Sequence, residues 1–289
     1  MKLANYAGRA TLIDGQDLGL DVADASGGRF LPSPMTLFAR WTELLEWTRS
    51  ADFSKARPID IGRLMAPVPL PSQVFGVGRN YNDHLIETHV APPLKAMVFT
   101  KFPSCIVGPN DDVPVRSGTV DWETEVVVVI GPGGYAIQQE QAWQHVAGLT
   151  LGQDLSDRAI QHRSHENPRQ FCLGKSCPGF GPIGPAVLSL DEFTDPDDIG
   201  FSCSIRGEVL QQGRTSEMLL PIPRLIAEIS SIVRLMPGDL IFTGTPGGIG
   251  GKRTPPRYLR PGEVLESTME QVGTMRNRIV EGGVFAREI

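Results

Sequence analysis

The segment VDWETEVVVVIG, residues 120–131, carries four consecutive valines and an isoleucine before a glycine. β-Branched residues at that density predict a strand, whose side chains alternate between two faces. Glu123 and Glu125 therefore share one face, and Trp122 and Thr124 the other. Further strand-like runs lie in QVFGVG, AMVFTK, GPAVLS, GFSCSIRGEVL and DLIFTGTP, separated by Gly/Pro clusters. Helical periodicity is found mainly in YNDHLIETH, QEQAWQHVAG and PIPRLIAEISSIVRLM. Without regular βα alternation, this order predicts an α+β fold with a mostly β major domain rather than a doubly wound sheet. No internal repeat interrupts it.

The first seventy residues differ. RATLIDGQDLGLDV predicts short strands around a turn at Asp14-Gly15, and PMTLFARWTELLEWTRSADF sets Leu37, Trp41, Leu44, Leu45 and Trp47 along one helical stripe. Three prolines in RLMAPVPLPSQ then mark a boundary. The expected organisation is a small N-terminal α+β domain at 1–70 and a larger domain at 71–289.

With 289 residues, 40% hydrophobic and 21% charged, the chain can bury a sizeable core. A net charge of -6 and no concentrated Lys/Arg block argue against nucleic acid or an anionic membrane as partner, and favour a small molecule. Cys105, Cys172, Cys177 and Cys203 form no CxxC pair, and no charged-then-apolar leader precedes Leu3. A cytoplasmic protein with reduced thiols is expected, and no apolar run approaches a membrane span.

Two motifs resemble nucleotide loops and fail. GTPGGIGGK at 244–252 has Pro246 where a P-loop needs glycine, and Arg253 follows Lys252; GVG at 76–78 lacks a third glycine. Both read as turns. His162 and His165 in QHRSHENP read as surface histidines on a loop, and Cys172 and Cys177 as packing residues. The carboxylates are more informative. Asp154 ends a strand-like run in LTLGQDLSDR, and three oxygen donors with Glu123 and Glu125 would suit Mg2+, Mn2+ or Ca2+. Spacing alone leaves open a solvated edge for the two glutamates and a simple turn of Asp154 with Ser156. In NYNDHLIE, His84 and Glu87 are three apart and share a helical face, either as an oriented imidazole or as a surface ion pair.

GVGRNYNDHLIE, DWETEVVVVIG, QDLSDR, GKS, GPIGP, RGEVLQQGRTSEM and PGDLIFTGTPGGIG, in this order across most of 70–280, resemble the fumarylacetoacetate hydrolase family. The resemblance implies that family's C-terminal catalytic fold, a mixed β-roll or sandwich, and a homodimer. It implies that Glu123, Glu125 and Asp154 hold Mg2+ or Mn2+, that His84 with Glu87 acts as a base, and that Lys175 is the active-site lysine rather than a surface one. Gln211 and Thr245, and with them Arg79 and Tyr81, match positions lining the substrate pocket. The family's usual ligands are short 2-oxo acids. The expected reaction is hydrolysis of the C3–C4 bond of a 2,4-dioxo acid of acylpyruvate type, giving pyruvate and a carboxylic acid. Alternatives are oxaloacetate decarboxylation or 2-oxo-acid isomerisation or hydration on the same scaffold, and a metal-dependent binding protein without turnover. Two departures from the family pattern touch this region: Gln153 stands where asparagine is usual, and Cys177-Pro178 follow Lys175-Ser176 where Phe-Asp is common.

Overall fold

The computed structural model describes residues 1–14, 17–88, 91–163 and 171–282. Its main feature is a mixed twelve-stranded sheet whose central path runs Lys2–Tyr6, Gly181–Ser189, Val146–Gln153, Thr124–Ile130, Leu240–Phe242, Val74–Gly78 and Met97–Thr100. Every residue of Thr124–Ile130 is buried, because apolar clusters cover both faces of this strand. Val126, Val128 and Ile130 face the helix Ile222–Ser230; Val127 and Val129 face the N-terminal layer of Leu3, Phe38 and Trp41. Two-sided burial explains the unbroken valine run.

A five-stranded sheet, ordered Glu208–Arg214, Gly200–Ile205, Val264–Met269, Gly273–Glu281 and Val113–Val115, packs beside the first. A mostly β architecture with mixed sheets is the fold expected from the sequence. The boundary expected near residue 70 falls between Leu64–Met65 and Val74–Gly78. Sheet and core nevertheless cross it: Lys2–Tyr6 pairs with Gly181–Ser189, with Leu3 opposite Val187.

Local differences from the sequence reading have physical causes. QEQAWQHVAG forms a 3-10 helix at Gln139–His145, with no side chain capping its start. The helix of PIPRLIAEISSIVRLM stops at Ser230 before the β-branched Ile232 and Val233. GVG is not a turn: Gly76 and Gly78 lie within Val74–Gly78, and a Cβ on Gly76 would collide with the Phe99 ring. His162 ends the helix Arg158–His162 rather than sitting in a loop; Gly15 and His165 lie outside the described residues. Among the described residues no helix is long and apolar enough to cross a membrane.

Candidate metal centre and active site

Strands Thr124–Ile130 and Val146–Gln153 end at the same level, where Thr124 pairs with Gln153. Pairing resumes only in the short ribbon of Val120–Asp121 with Ser156–Asp157. Glu123 and Asp154 occupy the gap, and the Asp154 N–H donates to the Glu123 carbonyl at 2.8 Å. Gln153 braces the gap: its Oε1 accepts from the Glu123 N–H at 3.1 Å, and its Nε2 donates to Ser267 Oγ at 2.9 Å. One amide thus ties the two sheets at the point where the ladder breaks.

Carboxylate oxygens of Glu123, Glu125 and Asp154 lie within 4.8 Å of one another. Their exposures are 7%, 1% and 0%, which excludes the solvated-edge alternative. Buried carboxylates need cations. Lys175 Nζ donates to Glu123 Oε2 at 2.7 Å and also to Asp154 Oδ2; Arg158 Nη2 meets Glu123 Oε1 at 2.7 Å and Asp121 Oδ2 at 2.8 Å. Burial would raise the Glu123 carboxyl, but Lys175, Arg158 and His84 outweigh it and hold it at about 2. Lys175 is likewise kept an ammonium: desolvation opposes the charge, and Asp154 and Glu123 restore it.

Glu125 is different. It forms no ion pair among the described residues, and its Oε2 accepts only the Gly244 N–H at 2.8 Å. Burial, with Asp154 and Glu123 alongside, pushes its carboxyl well above the usual carboxylate range. A divalent cation among the three would supply the missing countercharge, so the donor set fits a hard metal of the Mg2+ or Mn2+ type.

Lys101, wholly buried, anchors the opposite side of Asp154. Its Nζ donates to Asp154 Oδ1 at 2.8 Å, to the Phe180 carbonyl at 3.0 Å and to the Lys175 carbonyl. Between those carbonyls, the Phe180 N–H donates back to the Cys177 carbonyl at 3.0 Å, and Gly179 has φ +83°. Pro178 before a positive-φ glycine has the signature of a type II turn. The Cys177-Pro178 departure therefore makes a stiff turn, with Lys101 tying Phe180 at its end, and Lys175 two residues before its start, to Asp154.

Glu123 and Glu125 open into a cleft of about 640 Å³ lined also by Arg79, His84, Phe99, Gln161, Lys175 and Thr245. His84 Nδ1 lies 2.7 Å from Glu87 Oε1, while Glu87 Oε2 accepts the Gly248 N–H and Asp83 Oδ2 accepts the Gly247 N–H. The helix Asn82–Thr88 is thus pinned to the loop after Leu240–Phe242, with the imidazole facing the cleft. The arrangement combines a carboxylate-oriented imidazole, an ammonium and a metal-ready triad, which together can move a proton and stabilise developing negative charge.

The model of the fumarylacetoacetate (FAA) hydrolase C-terminal domain matches residues 73–280. The chain belongs to the fumarylacetoacetate hydrolase family. Within it, the chain is 38% identical to human mitochondrial oxaloacetate tautomerase FAHD2A, covering 97% of this chain and 92% of that protein. The fumarylacetoacetate hydrolase of Exiguobacterium antarcticum superposes with a TM-score of 0.84 at 32% identity, covering 97% and 99% of the two chains. A Mycobacterium smegmatis structure named for HpcE superposes with a TM-score of 0.90 at 44% identity, covering 98% and 100%.

Not every position suggested by the family resemblance faces the cleft. Arg79 and Thr245 do; Tyr81 and Gln211 do not. Tyr81 is fully buried against Phe201, with ring centroids 6.0 Å apart, and its hydroxyl has no hydrogen-bond partner among the described residues. Gln211 spends its amide within the protein, accepting from the Thr124 N–H at 2.9 Å and donating to Thr245 Oγ1 and the Pro246 carbonyl at 2.8 Å each. It braces Thr245 rather than lining the pocket. Conversely, sequence reasoning missed Lys101, Asp121, Arg158 and Gln161. Gln161 lines the cleft, accepts from Arg158 Nη1 at 3.0 Å, and leaves its buried Nε2 without an acceptor among the described residues. Arg158 and Gln161, four and seven residues after Asp154, are the signal that a helix starting beyond that strand returns to the site.

Proposed function

We propose that this protein is a divalent-metal-dependent enzyme that interconverts keto and enol forms of a short 2-oxo acid, with oxaloacetate as its leading substrate. One observation carries the reading: Glu125 is buried with no ion-pair partner among the described residues, in a carboxylate triad whose two glutamates share a cleft with His84, itself paired to Glu87. The resemblance over nearly the whole chain to a protein named oxaloacetate tautomerase supports this chemistry over C3–C4 hydrolysis.

Glu123, Glu125 and Asp154 would hold the metal, which supplies Lewis acidity toward the 2-oxo carboxylate and neutralises the triad. His84 accepts the C3 proton, with Glu87 fixing the ring orientation and stabilising the imidazolium. Lys175, held protonated, offsets the negative charge that develops on the C2 oxygen. The proton returns to that oxygen for the enol, or to C3 in the reverse direction.

The test follows loss of enol oxaloacetate by its ultraviolet absorbance with Mg2+ or Mn2+, then with EDTA. His84→Ala should slow the metal-dependent rate by about 10²–10⁴-fold. An unchanged rate in that variant would remove His84 as the base. Hydrolysis of a 2,4-dioxo acid is the second reading, favoured by the capacity of the His84–Glu87 pair to deprotonate water. Metal-dependent release of both pyruvate and acetate from acetylpyruvate, without enol turnover, would select it.

A further inference from the structure

The break in the ladder begins at Glu123, and from its N–H to the Thr124 carbonyl every backbone polar group has a buried partner. The Glu123 N–H donates to Gln153 Oε1 at 3.1 Å, and the Thr124 N–H to Gln211 Oε1 at 2.9 Å. The Glu123 carbonyl accepts the Asp154 N–H at 2.8 Å, and the Thr124 carbonyl accepts Thr245 Oγ1 at 2.9 Å. Two consecutive N–H groups are thus held by glutamine side chains instead of by neighbouring strands. These two residues are the stretch of chain that separates the carboxylates of Glu123 and Glu125.

Both glutamines are fixed in turn. Gln211 Nε2 donates to Thr245 Oγ1 and to the Pro246 carbonyl, and Gln153 Nε2 donates to Ser267 Oγ. Ser267, Cys203 and Gln211 stand in register across three adjacent strands of the second sheet, Ser267 opposite Cys203 and Cys203 opposite Gln211. Cross-strand partners share a face, and all three are buried. The Cys203 thiol lies 3.7 Å from Gln211 Oε1. Two residues to either side on that face, Phe201, Ile205, Leu265 and Met269 are buried and apolar. A polar row in an apolar face is costly unless it is bonded, and this one spends its bonds on the two glutamines. Gln153 itself is one methylene longer than the asparagine of the family pattern, so this clamp belongs to this chain.

We propose that Gln153 and Gln211, set in place by the row Ser267–Cys203–Gln211, are positioning residues that fix the spacing of the Glu123 and Glu125 carboxylates, so that the triad favours Mg2+ over Ca2+. This rests on the reading above, in which the triad holds a divalent cation. Mg2+ demands near-ideal octahedral geometry at short oxygen distances, whereas Ca2+ accepts longer and more varied ones, so the stiffness of a ligand set decides between them. A backbone clamped at every polar group between the two glutamates supplies that stiffness. Hydrogen-bond partners behind metal ligands typically change metal affinity by about 10–100-fold.

Competition against Mn2+ tests this, with the electron paramagnetic resonance signal of free Mn2+ reporting its displacement by Mg2+ or by Ca2+. The wild type should hold Mg2+ more tightly than Ca2+, and that ratio should fall several-fold in Gln153→Met and in Ser267→Ala. Leu44→Ala, at a buried position of the N-terminal layer, should lower the melting temperature and leave the ratio unchanged. A ratio unchanged in both Gln153→Met and Ser267→Ala, an equal fall in Leu44→Ala, or a wild type that prefers Ca2+ overturns the positioning role and leaves metal binding standing. Failure of the wild type to bind Mn2+ overturns the metal reading and this inference together.

Discussion

At the residue scale, Glu125 is the most exposed to test. Its folded carboxyl is raised by burial and by its neighbours Asp154 and Glu123. Whatever it contributes to stability is present below the usual carboxylate range and lost as pH rises through the raised value. Above that range, folding metal-free protein must either take up a proton at Glu125 or bury its charge uncompensated. Glu125→Gln should therefore raise the melting temperature of EDTA-treated protein at pH 8, by about 1–4 kcal/mol in stability. The same variant should lose the Tm gain that Mg2+ or Mn2+ gives the wild type; a variant that keeps that gain would remove Glu125 from the metal site. A second residue prediction concerns Cys203, whose thiol lies behind the site against Gln211. Burial pushes the Cys203 thiol to about 12, so between pH 9 and 12 the unfolded chain ionises first and stability falls as pH rises. Cys203→Ala should flatten that slope by up to about 1.4 kcal/mol per pH unit, read from urea midpoints at pH 8 and 10. Equal slopes would place the alkaline sensitivity elsewhere. Carboxylates beside an apolar run raised the triad as one of two readings of the sequence, and the ordered family motifs decided between them. Lys101 and Arg158 were not legible, since a lone basic residue reads as solvated until the fold buries it.

At the element scale, the site depends on two strands stopping together and on a loop that closes over the gap. The valine run announced the strand, but not that Glu123 sits in a break before Thr124; alternation of side chains gave the face correctly and missed the break. The breaking of the ladder depends on the long-range partners Gln153 and Ser267, which local pattern cannot supply. The closing loop turns at Gly244, whose φ is +105° and where a Cβ would stand 2.7 Å from the Asn80 Cβ and 3.2 Å from the Val77 carbonyl. Gly244→Ala should therefore destabilise the protein by about 1–3 kcal/mol. It should also weaken metal affinity, because the Gly244 N–H is the donor that fixes Glu125. Parallel denaturation and Mn2+ calorimetry separate the two effects. A loss of stability with unaltered metal affinity would show that Glu125 is oriented without this amide.

At the scale of the whole molecule, prolines at 67–71 suggested two domains, whereas the first strand is hydrogen-bonded into the main sheet. Proline runs report where a chain cannot be helical, not whether apolar surfaces on either side meet. Here they meet through Phe38, fully buried, stacked on Trp41 at 5.8 Å between centroids, and adjacent to Gly238. Gly238 precedes Leu240–Phe242, the strand that leads into Thr243, Gly244 and Thr245. Phe38 therefore supports from behind the element that presents the loop to Glu125. Phe38→Ala should cost about 3–5 kcal/mol by opening a cavity between the N-terminal layer and the central strands. If the shared core makes the chain one cooperative unit, calorimetry will show a single transition shifted down as a whole, and added Mg2+ will raise it in variant and wild type alike. Two transitions, with only the lower one moved by the substitution and only the upper one by Mg2+, would instead establish an N-terminal unit that folds independently of the metal-binding body.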